Sequence, residues 1–185
     1  MDDLAPRLDH LVAESLADLG LVDLDPRGGE VAEQLADDVV VTGRFKIGAN
    51  DILRGGRGND RLWGGNGRDQ LFAGIGRDRL YGSAGNDLVL GENGNDIARG
   101  GPDLDLVNGG RGDDRVFGGR GSDIVTGIIG SDVVHGGAGS DRCLDAFDGV
   151  KGNDTVYGGP GIDHYQADPG DFHFSAEVRG PCIPE

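Results

Sequence analysis

Thirteen aspartates stand in one column of this chain. Asp51, Asp60, Asp69, Asp78, Asp87, Asp96, Asp105, Asp114, Asp123, Asp132 and Asp141 follow one another at nine-residue steps. Four extra residues, DAFD at 145–148, then intervene, and the series resumes with Asp154 and Asp163. Each aspartate closes a glycine-rich turn. The unit reads G-G-x-G-x-D-x-U-x, with U apolar, as in GGNGRDQLF at 64–72. The first two positions are glycine at Gly55–Gly56, Gly64–Gly65, Gly118–Gly119 and Gly136–Gly137, and the fourth at Gly58, Gly67, Gly121 and Gly161. Ala49 and Asp103 replace the fourth-position glycine in their units. Such a turn exposes carbonyl oxygens, lets the backbone approach a ligand closely and adds one carboxylate. Hard oxygen donors of this kind suit Ca²⁺ best. Mg²⁺, with its stricter octahedron, ranks second, and no Cys/His set favours zinc.

Acid–base or nucleophilic catalysis finds no comparable constellation. His10, His135, His164 and His173 are scattered. There is no Ser-centred nucleophile elbow, no zinc helix motif and no phosphate-binding loop with its lysine. The glycine turns recur too regularly to be a nucleotide fingerprint. The residues therefore read as those of a binding or structural module rather than an enzyme.

The x-U-x tail of each unit must position these turns. Position eight reads Leu53, Leu62, Leu71, Leu80, Val89, Ala98, Val107, Val116, Val125, Val134, Cys143, Val156 and Tyr165. Alternation around it predicts a short strand with U facing inward. One apolar residue in nine cannot bury itself alone, whereas stacked copies can share a core. Composition agrees. Of 185 residues 37 are glycine, 36% are hydrophobic and only ten are aromatic, which fits a thin core repeated along an axis. The 27 Asp and 6 Glu outweigh 17 basic residues, for a formal charge of −16. That balance disfavours nucleic acid, which attracts positive surfaces, and favours cations. Aspartates stacked one coil apart would repel each other and lose hydration, so an unfilled row destabilises and folding should be coupled to metal.

These units resemble the glycine-rich nonapeptide repeats of the RTX, or haemolysin-type, calcium-binding family, over roughly residues 46–166. The resemblance implies an all-β fold, a right-handed parallel β-roll with two units per coil. It implies several Ca²⁺ ions in the turns between successive coils, held by turn carbonyls and by aspartates two units apart. One edge then runs Asp51, Asp69, Asp87, Asp105, Asp123, Asp141; the other runs Asp60, Asp78, Asp96, Asp114, Asp132. Across the insertion the pairs Asp141–Asp163 and Asp132–Asp154 are expected to be less regular, and the turn with Pro102 and Asp103 to bind weakly. Location outside the cell follows from calcium supply and from the resemblance. The family also includes C-terminal parts of exported enzymes and toxins. An accessory fragment of such a protein, or a surface adhesin or matrix module, is the alternative role.

The remaining segments carry weaker expectations. Residues 1–44 read as an N-terminal cap. A helix there carries Leu4, Leu8, Leu11, Val12, Leu16 and Leu19 on one stripe, a second short helix lies around 28–37, and DVVVTG at 38–43 forms a strand. Residues 45–166 form the roll and 167–185 a C-terminal cap or tail, with an alternating strand from Phe172 to Val178. On one outer face Ile52, Gln70, Leu88, Leu106 and Ile124 align beside Phe72 and Leu90. On the other, Arg61, Arg79, Ile97 and Arg115 run beside Trp63, Tyr81, Arg99, Phe117 and His135. A protein or glycan partner could use these faces. Ordinary β-propensity, with arginines offsetting nearby aspartates, is the stronger explanation. Cys143 is expected in the apolar column, and a Cys143–Cys182 disulfide is conceivable in an oxidising compartment. No cleavable leader and no membrane-spanning run are expected from the sequence. Arginine outnumbers lysine 15 to 2, a hint of a GC-rich bacterial source.

Overall fold

The computed structural model describes residues 22–24, 30–33, 40–42, 50–146, 153–174 and 178–179. Each nine-residue unit supplies one strand and one corner. The strands are β1 (Val22–Leu24), β2 (Glu30–Glu33), β3 (Val40–Thr42), β4 (Ile52–Arg57), β5 (Arg61–Asn66), β6 (Gln70–Ile75), β7 (Arg79–Ala84), β8 (Leu88–Asn93) and β9 (Ile97–Pro102). They continue as β10 (Leu106–Arg111), β11 (Arg115–Arg120), β12 (Ile124–Ile129), β13 (Val133–Ala138), β14 (Cys143–Ala146), β15 (Thr155–Tyr157), β16 (His164–Ala167), β17 (Phe172–Phe174) and β18 (Val178–Arg179). From β4 on, even strands pair in parallel in one sheet and odd strands in the other. The chain therefore winds back and forth between two sheets, as expected for a parallel β-solenoid.

The register follows the repeat. Leu53 lies beside Leu71, Leu71 beside Val89, and Leu62 beside Leu80. The position-eight side chains from Leu53 to Val134 are at most 1% exposed and form the core. Residues on either side of them face outward, because neighbouring side chains on a strand point oppositely. The corners are tied as well. The Gly58 N–H donates to the Ile75 carbonyl at 2.9 Å, and the Gln70 N–H to the Asp51 carbonyl at 2.8 Å.

Three sequence expectations need correction. The first is the N-terminal helical cap. Glu30–Glu33, inside the expected second helix, is strand β2 and pairs with β4 through Val31–Ile52 and Ala32–Leu53. An exposed sheet edge offers free N–H and C=O groups that a strand can match and a helix cannot. Strand β1 adds to β2 antiparallel, and β3, where a strand is expected, pairs with β5. The expected helix at 4–19 lies outside the described residues.

The second is Cys143. In β14, Cys143 pairs with Ile124 and Leu144 with Val125, so the core position passes to Leu144, which is fully buried. Asp141 nonetheless keeps its place against Asp123, and the Arg142 N–H still meets the Asp123 carbonyl at 2.9 Å. One extra residue is absorbed between Asp141 and Cys143 as a bulge. Leucine offers the larger apolar side chain, and that favours this register. The expected partner, Cys182, lies outside the described residues.

The third is the C-terminal strand. β17 spans Phe172–Phe174 and continues the odd-numbered sheet beside β15, with Val156 beside His173. Val178 belongs instead to β18, which pairs with β16 in the even-numbered sheet.

Candidate metal centres along the two edges

The repeat aspartates line the corners just inside the surface. All thirteen are buried, none more than 3% exposed. Each carboxylate after the first on its edge is divided in function. Its Oδ1 accepts the backbone N–H of the aspartate one coil earlier. On the first edge the link runs from Asp51 through Asp69, Asp87, Asp105, Asp123 and Asp141 to Asp163, at 2.8–3.0 Å. On the second it runs from Asp60 through Asp78, Asp96, Asp114 and Asp132 to Asp154, at 2.7–2.9 Å. The two links across the insertion, Asp141–Asp163 and Asp132–Asp154, are as regular as the rest.

The other oxygen differs. Oδ2 of Asp69, Asp87, Asp96, Asp105, Asp114, Asp123, Asp141 and Asp163 is buried and has no hydrogen-bond partner. A buried carboxylate oxygen without a donor is costly. From Asp69 to Asp141 this oxygen points into a notch beside the first glycine of its own unit. A methyl group on Gly118 would sit 2.6 Å from Asp123 Oδ2 and 2.6 Å from the Gly136 carbonyl oxygen of the next coil. On Gly64 it would meet Asp69 Oδ2 at 2.5 Å and the Gly82 carbonyl at 2.7 Å. The first glycine therefore serves by lacking a side chain. Where it is absent, in the unit of Asp78, the buried Ala73 stands instead.

Burial governs the electrostatics. Desolvation lifts the carboxyls of Asp87, Asp96 and Asp105 to about 7, and those of Asp69, Asp114 and Asp141 to about 6. In each, the backbone N–H bond pulls the other way. Neighbouring carboxylates, such as Asp51 beside Asp69, push further up. The arrangement favours any partner that brings positive charge to Oδ2. Among the described residues no three or more His, Cys, Asp or Glu side chains gather to hold a metal. An ion at these corners would lean on backbone oxygens as much as on carboxylates, a donor set for a hard cation.

Two site features escape the repeat pattern. Asn at position five lays a second ladder outside the aspartates. Asn50 and Asn59 Oδ1 accept the N–H of Arg68 at 2.8 Å and Arg77 at 2.9 Å, and Asn86 and Asn95 act likewise on Leu104 and Asp113. The recurrence of Asn at that position is its only sequence signal. The other feature is Asp171, which takes the next place on the second edge. Its Oδ1 accepts the N–H groups of Asn153 at 3.1 Å and Asp154 at 3.3 Å, and the Phe172 N–H meets the Asp154 carbonyl at 3.0 Å. The signal was the D-x-x-x of DFHF, disguised by a histidine at position eight and by the loss of one residue from the step.

The outer face of the odd-numbered sheet carries a stack rather than an open platform. Trp63 stacks on Tyr81 at 5.3 Å, and Arg99 bridges Tyr81 and Phe117. Phe117, His135, Tyr157 and Phe174 continue it at 4.4–5.2 Å between ring centres. Burial, with Arg115 nearby, holds His135 below the usual imidazole range. Ring faces inside this ladder are taken by their neighbours.

Comparison with known families agrees with this geometry. Matches to the RTX calcium-binding nonapeptide repeat (4 copies) cover residues 48–80, 63–98, 72–107, 90–125, 99–132, 108–143 and 145–171. No curated protein matches the chain. The buried aspartate columns, the notched glycine corners and a family match across most of the length together make this chain a member of the RTX calcium-binding nonapeptide-repeat family.

Proposed function

We propose that this chain is a non-catalytic calcium-binding β-roll module whose folding is coupled to the ions it holds. One observation carries the reading: the series of buried Oδ2 atoms without hydrogen-bond donors, each beside a glycine notch, as at Asp69 and Asp123. The ligands would be the aspartates of the two edges, Asp51 to Asp163, with carbonyls of the glycine turns such as Gly82 and Gly136. Bound calcium would supply the positive charge that these oxygens lack. The chain's own part is to hold the carboxylates in line through the Asp N–H to Oδ1 links, to keep the notches free of side chains, and to exclude water. A module with such demands works where calcium is plentiful, outside the cell. A glycan or protein partner on the aromatic face finds less support, because the ladder occupies its own ring faces.

A calcium titration followed by circular dichroism and calorimetry tests this. Stripped of divalent ions by a chelator, the chain should lose strand signal and melt at a markedly lower temperature. Added Ca²⁺ should restore it with several ions per chain, and Mg²⁺ should do so poorly. An unchanged spectrum and melting temperature after chelation would overturn the proposal.

A further inference from the structure

The turn around Asp78 is unlike the other turns of the aspartate column. It alone carries arginine on both sides, Arg77 and Arg79, in GRDRLY. The preceding turn has Arg68 and Gln70 about Asp69, and the one before it Asn59 and Arg61 about Asp60. Asp78 is buried, so alternation turns both of its neighbours outward. Arg77 is exposed and Arg79 half-buried. With Asn59, Gly76 and Asn95 they line an open cleft of about 600 Å³ along the second edge.

Backbone contacts fix the two arginines in place. The Arg77 N–H donates to Asn59 Oδ1 of the coil before at 2.9 Å, and the Arg79 N–H to the Asp60 carbonyl at 2.9 Å. Arg79 lies beside Arg61 of β5 and Ile97 of β9. A third arginine thus starts one strand away, at a backbone spacing of about 4.8 Å. At the far end Asn95 is tied to Asp113, whose N–H meets Asn95 Oδ1 at 3.2 Å. Three arginines elsewhere on the sheets rest on aromatic rings. Arg54 lies 5.3 Å over Phe72, Arg115 lies 5.9 Å over Phe117, and Arg99 spans Tyr81 and Phe117. Among the described residues, the guanidiniums of Arg61, Arg77 and Arg79 have neither a ring nor a carboxylate. An ion pair with a repeat aspartate therefore does not account for them.

We propose that this cleft binds a sulfate or phosphate monoester carried on a sugar. Two guanidinium forks at neighbouring outward positions can each offer paired N–H groups to a tetrahedral oxyanion. The cleft exceeds one oxyanion and lies within the size range of small-ligand sites. The flanking Asn carboxamides suit sugar hydroxyls. Against a formal charge of −16 a lone guanidinium would hold an anion poorly, and the pairing of two is what sets this turn apart. The site is distinct from the calcium reading, because it uses outward side chains while the repeat carboxylates are buried. It also leaves the aromatic ladder untouched.

Isothermal titration of the full chain in calcium-containing buffer, with glucose 6-sulfate and glucose 6-phosphate as probes, tests this. Both esters should bind, glucose should not, and inorganic sulfate should bind less tightly than glucose 6-sulfate. The double variant Arg77→Gln with Arg79→Gln should weaken ester binding about tenfold or more. Arg68→Gln should leave it unchanged, since it removes the same charge at the same repeat position on the opposite edge. Circular dichroism and melting temperature report whether each variant folds. Should R77Q/R79Q not fold, R77K/R79K keeps the charge without the planar fork and should still weaken binding. A folded wild type that binds neither ester, or binds glucose equally well, would overturn the proposal. So would R77Q/R79Q or R77K/R79K binding as tightly as R68Q. Inorganic sulfate binding as tightly as the sulfate ester would overturn the sugar as ligand.

Discussion

A repeat corner and the last turn place the same residue in the same column under opposite conditions. At Asp123, one carboxylate oxygen accepts the Asp105 N–H and the other is buried beside Gly118 and the Gly136 carbonyl, with no donor. At Asp171, both oxygens are served by backbone. Oδ1 takes the N–H groups of Asn153 and Asp154, and Oδ2 takes that of Asp168 at 2.6 Å. The cause is local. Asp168-Pro169-Gly170-Asp171 forms a tight turn, closed by the Asp171 N–H to the Asp168 carbonyl at 3.3 Å, with Gly170 at φ 110°. Proline then glycine suits a type II turn, and this turn folds the Asp168 N–H back onto the carboxylate. The repeat turn aims a carbonyl where the terminal turn aims an N–H. A carboxylate facing a carbonyl needs a cation; one facing an amide does not. Among the described residues the second edge thus closes on an aspartate whose two carboxylate oxygens both have backbone donors.

The largest expected effects separate the two aspartates. Asp171→Ala should destabilise the chain by about 2–3 kcal/mol whether or not calcium is present, because it strands backbone donors. Asp123→Asn should behave oppositely in the two states. Its amide can donate to the Gly136 carbonyl, so the metal-free form should gain stability, while the calcium-loaded form should lose a binding step. Melting temperatures of both variants in chelator and in saturating calcium would check this. A calcium-dependent penalty at Asp171, or a penalty at Asp123 in chelator, would break the comparison.

The pH dependence should be next in size. Folding raises Asp87, Asp96 and Asp105 to about 7, and Asp69, Asp114 and Asp141 to about 6. In the unfolded chain they titrate near the ordinary ~3.9. Between these values the folded state binds more protons, so metal-free stability should fall as pH rises from about 4 to about 7 and stay low above. Calcium should flatten or reverse that slope, since it favours the ionised carboxylates. Thermal unfolding across pH in chelator and in calcium would measure both slopes.

The glycines should give the smallest effects and the sharpest distinction. Gly118→Ala meets no positive-φ demand but sets a methyl 2.6 Å from both Asp123 Oδ2 and the Gly136 carbonyl oxygen, and should weaken calcium binding. Gly170→Ala forces alanine into a left-handed turn and should cost about 1 kcal/mol independently of calcium. Calorimetry and thermal melts on both variants would separate steric from conformational need.

Much of the site was legible beforehand because every unit repeats its own local chemistry. The columns Asp51 to Asp163 and Leu53 to Val134 lie where a nine-residue period puts them, and the outer rows keep their eighteen-residue alignment. Where the period broke, reading failed. Leu144 rather than Cys143 pairs with the core residue Val125 because one residue is bulged after Asp141, a shift visible only once β12 lies beside β14. Asp171 joined the column one residue early, because the proline–glycine turn shortened the step.

From the sequence alone followed the repeat length, the inward apolar residue, the aligned carboxylates and the kind of ion that oxygen donors prefer. Each follows from a single unit's turn chemistry and alternation, repeated in phase. Only the tertiary structure decided which oxygen of each carboxylate takes an amide and which lies bare, how the insertion is absorbed, that strands rather than a helix add to the first coils, and that Asp171 has backbone donors for both of its oxygens. Those outcomes depend on what the neighbouring coil presents across a strand spacing, and no unit carries that information by itself.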